Sequence, residues 1–134
     1  MTEIEIAWAA GLFEGEGCIE ISGKNRSRTG VRLYVVMADK DVLERFEAIA
    51  GCGTIRLLRA PSILKPHWKP VWRWTTGQAA ECRRLLGLWS PYLGDRRTKK
   101  AAEAVALLDE KESALHKVCL CGSPFRAEHH WQIY

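Results

Sequence analysis

The chain has 134 residues, 47% of them apolar and 27% charged, which fits one globular domain and leaves no length for a second. Its net charge of +4 suits a nucleic-acid partner without demanding one, and no apolar run approaches the roughly 20 residues that span a bilayer. The five cysteines are an odd number, and Met1-Thr2-Glu3-Ile4-Glu5 has no basic stretch or cleavage-site pattern. Neither a disulfide framework nor a signal peptide is therefore expected, and the chain reads as an intracellular, cytoplasmic protein with no membrane partner.

Residues 3–14 place Ile4, Trp8, Gly11 and Leu12 at helical spacing, with Thr2 as N-cap and Gly15 and Gly17 as the stop. Residues 18–24 alternate, with Ile19 and Ile21 on one face and Cys18, Glu20, Ser22 and Lys24 on the other. A polar, basic loop follows to Gly30. Residues 31–37 alternate again, Val31, Leu33, Val35 and Met37 inward and Arg32, Tyr34 and Val36 outward, so the two runs predict a hairpin. Asp39 or Asp41 caps a second helix that carries Val42, Leu43, Phe46 and Ile49 inward and stops at Gly51 and Gly53. Thr54 to Arg59 predicts a third strand, Ala60 to Pro70 a loop, and Val71 to Thr76 a fourth strand. Thr75 or Thr76 caps a third helix over about 78–89, a turn follows at Ser90-Pro91, and a last helix covers about 96–113. The order helix, two strands, helix, two strands, helix, helix predicts an α+β domain with an antiparallel sheet covered by helices on one face.

The run Ala9-Ala10-Gly11-Leu12-Phe13-Glu14-Gly15-Glu16-Gly17 resembles the nine-residue signature of the LAGLIDADG homing endonucleases. Ala10, Gly11, Leu12 and Gly17 match; Ala9 replaces the usual leucine, and Glu14 and Glu16 stand where aspartate is common. Gly51-Cys52-Gly53-Thr54-Ile55 and Pro91-Tyr92-Leu93-Gly94-Asp95-Arg96-Arg97 are similar to later stretches of the family, so the resemblance covers roughly residues 5 to 110. It implies an αββαββα domain over 1–113, a curved antiparallel sheet serving as a DNA-binding saddle, with 114–134 as a C-terminal tail.

The resemblance also implies an activity. Family members cut double-stranded DNA at long, nearly palindromic sites with a divalent metal, in the context of intron or intein mobility. One motif copy implies a homodimer in which the motif helices pair, with Ala10 and Gly11 allowing close approach. Glu16 becomes the metal-binding carboxylate and the Gly15 carbonyl a second oxygen ligand, a donor set suited to Mg²⁺ or another hard divalent cation. Glu14 reads as a structural or capping residue. Arg96, with Arg97 as the one-residue alternative, matches a basic residue near the scissile phosphate. The family's water-positioning glutamine has Met37 as its nearest position here, which cannot do that work.

The outward residues of the strands then form a DNA-reading face: Glu20, Ser22, Lys24, Arg32, Tyr34, Arg56 and Arg73, joined by Arg26 and Arg28 in the first loop and Arg59, Lys65, His67 and Lys69 in the second. Such a ribbon fits the major groove of B-DNA, where arginine and lysine read guanine edges or bind phosphate. The six tryptophans raise base stacking as another use, but Trp72 and Trp74 alternate with Arg73 and belong on the helix side. In the tail, Cys119, Cys121, His129 and His130 are a possible Zn²⁺ set, set against a tail packed by Phe125, Trp131 and Tyr134. Two other functions compete: a binding protein of the same fold that has lost cleavage, such as a regulator or intron maturase, and an unrelated zinc-dependent nucleic-acid-binding protein.

Overall fold

The computed structural model describes residues 2–22, 30–61, 63–64 and 66–120, with side chains up to residue 110 apart from those in the gaps. The first helix, α1, spans Glu3–Glu16. Thr2 Oγ1 accepts the Glu5 N–H at 3.1 Å and Glu5 Oε1 accepts the Thr2 N–H at 2.8 Å, so two donors that the first turn leaves free are satisfied reciprocally. That contact with the Thr2 backbone holds the Glu5 carboxyl below its ordinary pKa. The helix runs past the expected end at residue 14, and Gly15 lies inside it. Gly17 is the stop: a Cβ there would sit 2.3 Å from the Phe13 ring.

Strands β1 (Gly17–Ser22) and β2 (Gly30–Met37) form the expected hairpin, with Glu20 opposite Arg32 and Cys18 opposite Tyr34. Helix α2 (Lys40–Ala50) begins at Asp39, whose side chain makes no cap hydrogen bond, and ends at Gly51 with φ 76°. Strands β3 (Thr54–Arg59) and β4 (Val71–Thr76) pair with each other, and β4 pairs with β2. The result is a four-stranded antiparallel sheet in the order β1-β2-β4-β3.

Helix α3 (Ala79–Trp89) starts after Gln78, not at Thr75 or Thr76. Both threonines are engaged elsewhere: Thr75 donates to the Leu33 carbonyl, and the buried Thr76 hydroxyl bonds the Glu81 carboxylate. A 3-10 turn over Ser90–Tyr92 leads into α4 (Asp95–Leu120), which runs well past residue 113.

The helices pack on one sheet face around Phe13, Leu33, Val35, Leu43, Phe46, Trp74, Leu85, Leu86 and Trp89, all fully buried. Trp74 meets Phe46 edge to face at 4.8 Å, and Phe13 lies 4.9 Å from Trp89. Trp72 and Trp74 therefore lie on the helix side, as their alternation with Arg73 predicts. Cys82 is buried and Cys18 and Cys52 partly so; all three are free thiols. Among the described residues no helix is long and apolar enough to cross a membrane.

Candidate functional site

The sheet face turned away from the helices is polar and mostly basic. Strand alternation places Glu20, Ser22, Arg32, Tyr34, Arg56 and Arg73 there together. The register groups them: Cys18, Tyr34, Thr75 and Thr54 form one row across the sheet, and Val36, Arg73 and Arg56 another. Arg73 lies 5.8 Å from the Tyr34 ring centroid. The Tyr34 hydroxyl is raised above its ordinary pKa, chiefly by its hydrogen bond with the Cys18 thiol. Arg32 and Glu20 approach to 3.8 Å with both side chains about half exposed, a weak pair that leaves each free to exchange partners. A shallow cleft of about 540 Å³ runs along this face, lined by Arg32, Thr54, Arg56, Arg73, Thr75 and Gln78 among others. Thr54, Thr75 and Gln78 were not singled out from sequence, although the alternation that places Arg56 and Arg73 outward places both threonines there too.

Lys24, Arg26, Arg28 and Lys65 lie outside the described residues, as do Cys121, His129 and His130; Cys119 falls in α4 beyond the described side chains. Met37 lies inward, as its place in the alternation predicts. It sits opposite Trp72 and packs toward the core, so the last open-face residue of β2 is Val36, opposite Arg73. Val36 has no polar side-chain atom either.

The solvent side of α1 carries Ile4, 81% exposed, with Gly11 and Gly15 exposed below it and Ala7, Trp8 and Leu12 half-buried beside them. Among the described residues a Cβ on Gly11 or Gly15 would meet nothing within 4 Å, so they leave this surface open to close approach. Ala10, expected to share that role with Gly11, is instead fully buried in the chain's own core. Alanine suits either face, so its residue type could not distinguish the two.

At the C-terminal end of this face α1 passes directly into β1, and Glu16 is exposed at the junction. Arg96 is exposed in the first turn of α4. It lines a cleft of about 430 Å³ with Gly17, Cys18, Ile19, Arg97, Lys99, Lys100 and Glu103. Lys99 and Lys100 were missed in the sequence because a charged run on a helix reads first as a solvated face.

Glu14 and Arg97 are engaged with each other. Glu14 Oε1 accepts the Gly94 N–H at 2.8 Å, and Arg97 Nε donates to the Glu14 carbonyl at 2.9 Å. Arg97 Nε is also 3.9 Å from Glu14 Oε2, and its guanidinium lies 5.7 Å from the Phe13 ring centroid. With 16% of its side chain exposed, Arg97 is committed within the chain, whereas Arg96 is available to an outside anion. Glu14 thus joins the end of α1 to the start of α4.

The donor chemistry at the junction fits a hard cation. Glu16 offers carboxylate oxygens, and the last carbonyls of a helix lack intrahelical partners. Arg97 takes that of Glu14; Gly15 follows it in the chain. Among the described residues no three His, Cys, Asp or Glu side chains converge on one point.

The helix-backed, four-stranded antiparallel sheet shares its fold with solved structures of LAGLIDADG homing endonucleases. Solved structures match it across most of the chain. The homing endonuclease I-CvuI, in complex with a DNA target in the presence of Mg and with that DNA uncleaved, has a TM-score of 0.68 at 19% identity, over 82% of this chain and 69% of that one. The group I intron-encoded homing endonuclease I-CeuI complexed with DNA has a TM-score of 0.69 at 18% identity, over 87% and 59%. The LAGLIDADG meganuclease I-AabMI bound to uncleaved DNA has a TM-score of 0.63 at 18% identity, over 79% and 38%. No protein-family model and no curated protein matches the chain in sequence, so the likeness lies in the fold.

Proposed function

We propose that this chain is a site-specific, divalent-metal-dependent endonuclease for double-stranded DNA that acts as a homodimer and makes a double-strand break at a long, nearly palindromic site. The observation that carries this reading is the position of Glu16. Its carboxylate is exposed where the glycine face of α1 meets the first strand of the basic sheet. Two copies paired through Ile4, Gly11 and Gly15 bring two such acids together at a shared axis, and an isologous pairing calls for a two-fold related DNA site.

The residues divide the work. Arg32, Arg56, Arg73 and Tyr34 face the groove, while Lys99 and Lys100 stand beside the central cleft at phosphate-binding positions. Glu16 and the Gly15 carbonyl would hold Mg²⁺ or a similar ion. When bound, such an ion supplies an activated water and charge stabilisation at the phosphate. Arg96 places a permanent charge near the oxygens that become more negative.

The experiment is a selection from randomised duplex DNA in Mg²⁺, with wild type beside Glu16→Gln. Wild type should bind and cut the selected sites, and the variant should bind them and fail to cut. Equal cutting by both would remove Glu16 from the role of ligand. A second reading, a cleavage-impaired DNA- or RNA-binding protein of the same fold, is favoured by Val36, which cannot orient water at the end of β2. Binding without cutting under any divalent ion would establish it in place of the first.

A further inference from the structure

The end of α1 is an electrostatically awkward place for acids. Helix C-termini carry partial negative charge, yet Glu14 and Glu16 both lie in the last turn, which contains no basic residue of its own. The compensating cation comes from α4, more than eighty positions along the chain. Arg97 donates to the Glu14 backbone carbonyl, approaches the Glu14 carboxylate and packs over Phe13. The Glu14 carboxylate in turn receives the Gly94 N–H, one residue before α4 begins. A Cβ at Gly94 would lie 3.3 Å from Glu14 Oε2, so a glycine keeps this approach uncrowded.

We propose that Glu14 and Arg97 form a brace that sets Glu16, on one side, against Arg96, on the other, and that Arg97 is a positioning residue rather than a phosphate ligand. This inference rests on the proposed nuclease reading for the roles of Glu16 and Arg96. Each braced residue is adjacent or nearly so to a working one: Glu14 is two positions before Glu16, and Arg97 follows Arg96. Each bond ties a side chain of one segment to the backbone of the other, so together they hold the backbone from which each working side chain originates. Misplacing a reacting group by on the order of 1 Å can cost about 100-fold in rate. A lysine cannot reproduce this arrangement, because it has no N–H at the Nε position: the Arg97 Nε–H meets the Glu14 carbonyl at 2.9 Å while the guanidinium beyond it lies over the Phe13 ring.

The test uses the full chain, a duplex obtained from the selection above, and the variants Arg97→Lys, Arg97→Ala and Glu14→Ala. With a brace, the variants bind the duplex within about twofold of wild type with an unchanged salt dependence. Their single-turnover cleavage at saturating DNA falls about tenfold or more, for Arg97→Lys as well as Arg97→Ala. In the free protein, exchange of the Gly94 amide hydrogen speeds up in Arg97→Ala and Glu14→Ala. Weaker binding in Arg97→Ala with a salt slope reduced by about one overturns the proposal in favour of a phosphate contact. Wild-type cleavage by Arg97→Lys overturns it in favour of simple charge compensation. If wild type cuts no DNA, the nuclease reading fails separately; unchanged Gly94 exchange in Arg97→Ala would then overturn the brace itself.

Discussion

Gly51 and Gly53 both adopt positive φ, at 76° and 92°, but their surroundings differ. At Gly51 an added Cβ meets open space; at Gly53 it lands 2.4 Å from Trp74 Nε1 and within 2.8 Å of two further ring atoms. Gly51→Ala should therefore cost only the left-handed backbone term, about 1 kcal/mol. Gly53→Ala carries that cost and must also displace Trp74, which is fully buried, packed edge-on against Phe46 and hydrogen-bonded to the Cys52 carbonyl at 2.9 Å. Overpacking of about 1–3 kcal/mol and a lost hydrogen bond of about 1 kcal/mol bring the expected total to about 4 kcal/mol. That is a large share of a typical domain's stability of about 5–15 kcal/mol. Urea unfolding followed by tryptophan fluorescence, with both variants at one protein concentration, measures the difference. Costs for the two variants equal within about 0.5 kcal/mol would refute the claim that the second glycine of the Gly-Cys-Gly turn exists to admit the Trp74 ring.

Other consequences are open to direct measurement. Thr2→Ala removes the α1 cap and should cost about 1 kcal/mol in the same unfolding assay. The Glu5 carboxyl is held below its ordinary pKa by the Thr2 backbone, so its contribution is present above that ordinary value and lost as pH falls through the folded one. The melting-temperature gap between wild type and Glu5→Gln should accordingly be seen at neutral pH and close in acid. Burial pushes the Cys82 thiol up to about 11, so at pH 8 roughly one molecule in a thousand carries the thiolate. Disulfide-reagent labelling of native protein at pH 8 should spare Cys82 until the chain unfolds; rapid native labelling there, located by mass spectrometry, would contradict its burial. In the proposed homodimer, Gly11→Phe should leave the fold intact, since none of the described residues lies within 4 Å of a Cβ there, but shift sedimentation from dimer to monomer.

Much of the architecture was legible because it rests on local periodicity. The alternation in 18–24 and 31–37 separated the inward valines and leucines from Glu20, Arg32 and Tyr34, and the same rule placed Trp72 and Trp74 behind Arg73. What escaped the sequence depended on contacts between distant segments. Nothing near Thr75 or Thr76 in the sequence indicates that their hydroxyls are already bonded to Leu33 and Glu81. The resemblance prefers Arg96 to Arg97 by a single position; only the fold, by bringing the end of α1 against the start of α4, engages Arg97 and leaves Arg96 exposed. Ala10 and Gly11 likewise differ in the direction they face, which one helical step decides. Met37 is instructive because alternation alone puts it inward, while the family resemblance drew attention to it as a site position.

An exposed glycine in a helix interior costs about 1 kcal/mol relative to alanine, and α1 carries one on its solvent side at Gly11. In the proposed pair, an isolated chain bears that deficit and holds half of an acidic centre, and association repairs both at once. Stability and competence to cut would then be functions of abundance, with the melting temperature rising as protein concentration rises. While the protein is scarce, the amount of assembled dimer would grow with the square of the protein concentration, so dilution alone would restrain a double-strand-breaking activity without any added regulator.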